Sequence, residues 1–300
     1  MRIAIIGPGA IGGSLAGHLL ARGTDVVLAA RTHFDSLSVE LHSGETLRFV
    51  PTFLDPSVTM EHPFDWVMVT TKAYDVAGTA PWLKVLVAPK TRVAILQNGV
   101  EHRERFQALV PAQQLLPVMV NLPASRTAPG AIQQRGPAML RVPNDPLGQS
   151  FVALFSGTAV DAATTEDFTT EIWRKLTLNA PGAINALLLQ PNGIVHNPAV
   201  AELMRGVMLE TIAVARADGA QVDESLADEI LESMRNASPD GVNSLHADRA
   251  AGRPMETDAR NGAVVRIGRR HGIPTPLNQM AVTLLDSSIQ SNGPSPIGVL

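Results

Sequence analysis

Arg2-Ile3-Ala4-Ile5-Ile6-Gly7-Pro8-Gly9-Ala10-Ile11-Gly12 is the stretch that decides the fold. Its first half is a short β-branched run that reads as a buried strand and stops at a glycine. Ala10 to Ala21 then carries Ile11, Leu15, Leu19 and Leu20 at the spacing of one buried helix face, and Gly23 stands where a helix C-terminus closes. Asp25 to Ala30 is a second apolar run. A strand, a glycine loop, a helix and a second strand make a βαβ unit, and that context gives a G-x-G-x-x-G loop its meaning. Gly7 permits the tight turn, Gly9 lets backbone approach a pyrophosphate, and Gly12 lets the helix pack close to the sheet. The helix start, with Ala10 and Ile11, offers free N–H groups and the positive end of a dipole. The expected ligand is a dinucleotide.

The end of the second strand selects among dinucleotides. An NAD site usually has Asp or Glu about 20 residues beyond the loop, on the ribose hydroxyls. Here Asp25 lies at the wrong end of the strand, and the strand runs out into Arg31-Thr32. A guanidinium there can hold a 2′-phosphate with two hydrogen bonds, which favours NADP(H). The alternative is that Arg31 is a surface residue at a strand end.

Farther along, Trp66 to Thr71 and Arg92 to Leu96 read as strands, each followed by a helix start, and residues 115 to 142 as short strands broken by prolines and glycines. Alternation of this kind implies a parallel sheet with crossover helices. After about residue 165 the strand signals stop. Glu171 to Gln190, Ala199 to Asp218, Glu224 to Arg235, Glu256 to His271 and Leu277 to Ile289 read as helices. The expectation is an α/β Rossmann domain over 1–164 and an all-α domain over 165–300. Ser291 to Leu300, with two prolines and two glycines, reads as a mobile tail.

The 300 residues carry a formal net charge of −4, which leaves no basic footprint for nucleic acid. No apolar stretch approaches the roughly 20 residues of a membrane span, and Ile3 to Ile6 is too short for a secretory core. There is no cysteine, which removes disulfides, thiolate metal sites and thiol catalysis. The eight histidines (18, 33, 42, 62, 102, 196, 246, 271) show no metal-ligand spacing, so no metal is expected. A cytoplasmic protein is the expectation.

Binding a dinucleotide is not chemistry. In Trp173-Arg174-Lys175-Leu176-Thr177-Leu178-Asn179, Lys175 and Asn179 lie four apart on one helix face. A second constellation is Ser244 with Asp248 and Glu256. Taken alone, the first reads as solvated surface and the second as a carboxylate at a helix N-terminus.

Taken together, these motifs resemble the ketopantoate reductase family over nearly the whole length. They are GPGAIG, Arg31, Thr70-Thr71-Lys72-Ala73, Leu96-Gln97-Asn98-Gly99-Val100, Pro129-Gly130, Ile172-Trp173-Arg174-Lys175-Leu176 with Asn179, and Ser244 to Gly262. The resemblance implies a Rossmann domain followed by a helical domain like the C-terminal one of 6-phosphogluconate dehydrogenase, and NADPH-dependent reduction of a 2-oxo acid, with a homodimer allowed. It implies Lys175 as general acid, Glu256 in the same catalytic site, and Asn98, Asn179 and Ser244 on the substrate. Gly7, Gly9, Ala10, Ile11, Gly12, Arg31, Lys72 and Asn98 would serve the cofactor. Two family asparagines that hold substrate are absent: position 183 is Ala and position 241 is Gly, with Asn185 and Asn243 nearby. A reductase of another 2-oxo acid or ketone, or a non-catalytic NADP(H)-binding regulator, are the other readings.

Overall fold

The structure, a computed structural model, describes residues 1–54 and 63–290. His62 and the tail from Ser291 onward lie outside the described residues. The chain divides into two compact units, Met1–Phe168 and Thr169–Leu300.

The first unit begins β1 (Arg2–Ile6), α1 (Ala10–Ala21), β2 (Asp25–Ala29), β3 (Leu37–Glu40), β4 (Thr46–Phe49), β5 (Thr52–Phe53) and β6 (Trp66–Val69). It continues α2 (Val76–Leu86), β7 (Arg92–Ile95), α3 (His102–Phe106), β8 (Leu115–Pro117), β9 (Met119–Asn121) and β10 (Ala124–Ala128). It ends with β11 (Ala131–Gln134), β12 (Ala138–Pro143), α4 (Pro146–Val152) and β13 (Val160–Thr165). Six strands form a parallel sheet in the order β5-β2-β1-β6-β7-β8. The chain therefore runs outward from β1 to β2 on one side and resumes at β6 on the other. This reversal opens a crevice at the C-terminal ends of β1 and β6, where open α/β sheets bind ligands. Ile3, Ile5, Trp66, Val67, Met68 and Val69 are fully buried, as strands covered on both faces must be.

Helix α1 is buried almost all round, which its one-sided apolar pattern does not anticipate. The reason is a second sheet, β10-β11-β3-β4, lying against its far side. Glycines make this possible: a Cβ on Gly13 would stand 2.9 Å from Ile132, and one on Gly17 2.7 Å from Val39. The buried polar groups of α1 are satisfied by Gln134, whose Oε1 accepts from Ser14 Oγ and lies 3.1 Å from His18 Nε2. Gly23, at φ +80°, closes α1, with Thr24 N–H donating to Leu19 O at 3.1 Å.

The second unit comprises α5 (Phe168–Asn179, its first residue from the preceding unit), α6 (Gly182–Leu188), α7 (Pro198–Ala217), α8 (Ser225–Asn236), α9 (Ser244–Ala250), α10 (Asn261–His271) and α11 (Pro276–Gln290). Two helix boundaries depart from the sequence expectation. The segment 171–190 is two helices, because Pro181 has no N–H to continue the ladder and instead stands as the N-cap of α6. The segment 256–271 is helical only from Asn261. Met255, Glu256, Thr257, Ala259 and Arg260 form a buried turn ahead of it, so Glu256 is not a solvated helix-start carboxylate.

Candidate active site

The glycine loop is fixed by backbone contacts. Gly7 has φ +81°, and a Cβ on it would meet Thr71 Cγ2 at 2.6 Å. A Cβ on Gly12 would lie 2.2 Å from Thr70 Oγ1 and 2.8 Å from Gly7 O. Thr70 Oγ1 donates to Ile6 O at 3.0 Å and to Gly7 O at 2.8 Å, joining the end of β6 to the loop after β1. Gly9 differs: nothing but Gly7 O, at 3.9 Å, stands near its missing side chain. The loop is thus closed behind Gly7 and Gly12 and open over Gly9, beside the N–H groups that begin α1. That combination fits a pyrophosphate.

Around the loop stand the other residues of this unit. Arg31 follows β2, is 82% exposed, and pairs with Asp75 at 3.2 Å. Lys72 and Asn98 are half-buried at the ends of β6 and β7. Their segments are tied together by Gln97, whose Nε2 donates to Thr71 Oγ1 at 3.0 Å and to Lys72 O at 3.4 Å. His102 sits behind this junction with Nε2 2.8 Å from Gln97 O, and burial lowers its pKa to about 4. A neutral imidazole therefore supports the Gln97 segment, a role that sequence reading missed.

In the second unit the candidates converge on one residue that the sequence reading did not single out, Arg260. It is 3% exposed. Its Nη2 donates to Asn179 O at the end of α5, and its Nη1 reaches Ser244 Oγ, the first residue of α9, at 3.5 Å. The carboxylates of Glu256 and Asp248 favour its charged form, but burial outweighs them and lowers its pKa to about 10. Lys175 is the second cation. Burial first, and the Arg260 charge second, push it down to about 8. Asp248 also accepts from Arg253 Nε at 2.9 Å. Lys175, Asn179, Ser244 and Glu256 thus share one neighbourhood. Among the described residues no group of His, Asp or Glu side chains is arranged to hold a metal.

The two asparagine departures are built into the packing. Ala183 is fully buried in an apolar cluster with Ala186, Leu245, Met255, Ala281 and Leu285. A side chain at 241 would start 2.4 Å from Asn192 Nδ2 and 3.0 Å from Ser238 O. The neighbouring asparagines are tied to nearby backbone. Asn185 Nδ2 donates to Gln190 O and Pro191 O, fastening the end of α6. Asn243 caps α9 by accepting from His246 N–H at 3.0 Å, while its Nδ2 donates to Gly182 O at 3.3 Å.

Family models for ketopantoate reductase PanE/ApbA match residues 3–146 and, for its C-terminal part, residues 167–288. The chain belongs to the ketopantoate reductase family. A 2-dehydropantoate 2-reductase of Caulobacter vibrioides is 48% identical over 95% of this chain and 98% of that one. A crystal structure of 2-dehydropantoate 2-reductase from Geobacter metallireducens superposes with TM-score 0.88 at 30% identity, covering 96% of this chain and 100% of that one. A dimeric ketopantoate reductase from Staphylococcus aureus gives TM-score 0.86 at 25% identity, covering 98% and 100%. The chain is accordingly an oxidoreductase acting on CH–OH with a pyridine nucleotide. Among the described residues no helix is long and apolar enough to cross a membrane.

Proposed function

We propose that this chain reduces ketopantoate to pantoate, a 2-oxo acid to a 2-hydroxy acid, with NADPH as reductant. The observation that carries the reading is Lys175, a half-buried ammonium whose pKa is lowered to about 8. A general acid is most effective when its pKa lies near the working pH, protonated yet ready to give the proton up. An ordinary surface lysine, titrating above 10, is too reluctant a donor.

A nicotinamide cofactor bound in the first unit would supply the hydride for the ketone carbon. The residues that would hold it are Gly7, Gly9, Gly12, Ala10 and Ile11 at the pyrophosphate, Arg31 at a 2′-phosphate, and Lys72 and Asn98 beyond them. Lys175 stabilises charge developing on the ketone oxygen and delivers the proton from Nζ to it. Asn98, Asn179 and Ser244 orient the substrate, and Glu256 sustains the charge of Arg260 beside Lys175. A cytoplasmic setting, where NADPH is supplied, goes with this reading. A homodimer does too, supported by the dimeric Staphylococcus aureus protein.

The test is NADPH oxidation against a panel of 2-oxo acids that includes ketopantoate, with NADH as control. Turnover of ketopantoate with NADPH in preference to NADH is the expected result. A second reading, reduction of a different 2-oxo acid, is favoured by Ala183 and Gly241, where amides expected from the resemblance are replaced by an apolar contact and a crowded glycine. Activity on other acids but not on ketopantoate would establish it. Nucleotide binding without turnover of any carbonyl compound would favour a regulator. Sedimentation at micromolar concentration reads the assembly, and a monomer would remove the dimer.

A further inference from the structure

We infer that Arg260 is a substrate-binding residue, and that its guanidinium anchors the carboxylate of the 2-oxo acid in place of the amides absent at positions 183 and 241. The inference rests on the functional reading above and adds the group that recognises the acid.

Three observations meet at this side chain. Arg260 lies beside the groups that the functional reading places on the substrate: it touches Ser244 and the Asn179 carbonyl, and its charge is felt by Lys175. Its fork is incompletely used. Nε is buried without a hydrogen-bond partner, and the Ser244 contact, at 3.5 Å, is at the limit of a hydrogen bond. A buried guanidinium N–H left without an acceptor is costly, so such a group persists where something else gives a reason for it. A planar guanidinium matches a carboxylate with two parallel hydrogen bonds, which a neutral amide cannot equal in strength. Finally, room has been made for it. A Cβ on Gly182 would come within 3.0 Å of Arg260 Nη2, so a side chain at that position would push the guanidinium aside. Burial and mutual repulsion weaken the hold of both Lys175 and Arg260 on their protons, and an anion bound between the two cations relieves both effects.

The experiment compares the wild-type protein with Arg260→Gln and Arg260→Lys on two substrates, ketopantoate and its neutral lactone, using NADPH oxidation and a thermal melt of each protein. Wild type should favour the acid. Arg260→Gln should raise KM for the acid on the order of 10²-fold with a smaller change in kcat, and should lower kcat/KM for the lactone far less, since Lys175 feels the loss of the Arg260 charge with either substrate while only the acid loses its carboxylate anchor. Arg260→Lys keeps the charge without the fork, should lose about tenfold on the acid alone, and carries the test if the glutamine variant fails to fold. Equal losses on acid and lactone, with a lowered melting temperature, would mean that Arg260 only braces α5 against α9, and would overturn the inference. A wild type that turns over both compounds equally, or a variant that keeps the preference for the acid, overturns it as well. Wild-type protein that reduces neither compound overturns the functional reading itself.

Discussion

The glycine loop of the first unit and the Arg260 cluster of the second are built by opposite means. The loop works by what is absent. Gly7 and Gly12 leave no room for a Cβ, Gly9 stands open beside the start of α1, and all three fall within six consecutive residues. The cluster works by side chains brought from far apart: Lys175 on α5, Ser244 on α9, and Glu256 and Arg260 on the turn before α10. A local device tolerates little change at particular atoms. A convergent one depends on charge balance among distant segments.

The largest effect separates two glycines of the same loop. Gly12→Val should destabilise the first unit by about 3 kcal/mol or more, because the new Cβ overlaps both Thr70 Oγ1 and Gly7 O, which hold β6 to the loop. Denaturant unfolding reads this, and NADPH fluorescence titration should show binding lost. Gly9→Ala has nothing within the protein to strike, so its melt should be unchanged while NADPH binding weakens. Equal melts for the two variants would break the distinction between a glycine required by packing and one required by a ligand.

In the second unit, Lys175→Ala should leave NADPH binding intact and lower kcat on the order of 10²-fold or more. A variant that turns over normally would remove the proton-donor role.

Legibility follows the same division. The loop could be read because its geometry is a property of neighbouring residues, and the parallel sheet because its strands are unbroken apolar runs. Strands β3 and β4 went unread although Leu37 and Val39 alternate with polar neighbours, their signal being only four residues each. Helix α9 has seven residues, too few for a periodic pattern to stand out. Arg260 was invisible for a deeper reason. Arginine near a helix start is ordinarily solvated, and only the packing of α5, α6 and α9 around this one decides that it is buried. Lys175 and Glu256 entered through family resemblance, and local pattern alone assigned both to the surface.

A smaller effect tests the cluster through its protons. With Lys175 at about 8, the proton donor is present below that pH and lost above it, so kcat/KM should fall about tenfold per unit on the alkaline side. The sign for stability is opposite. Between about 8 and the ordinary lysine value of 10.5 the unfolded chain holds a proton on Lys175 that the folded chain has released, so this group's contribution to stability rises with pH across that window. An activity that declines while the melt does not worsen would mark the Lys175 titration, whereas parallel declines would point to unfolding.

The smallest effect concerns Arg31, where the first unit comes nearest to the side-chain logic of the second. The side chain is exposed, and its pair with Asp75 at 3.2 Å lies in high dielectric, where such pairs contribute about 1 kcal/mol or less. Arg31→Ala should therefore leave the melt unchanged. Its cost should appear as about a fivefold higher KM for NADPH, since a phosphate held by a solvated guanidinium gains only part of the strength of a buried, bidentate contact. KM for NADH, which has no 2′-phosphate, should not rise. Asp75→Ala sharpens the point: it releases Arg31 from its present partner and should lower KM for NADPH slightly. If Arg31→Ala affected NADPH and NADH alike, the guanidinium would be serving the loop and not the phosphate. The first unit would then owe its cofactor affinity to the loop backbone with Lys72 and Asn98, and the contrast with the Arg260 cluster would widen.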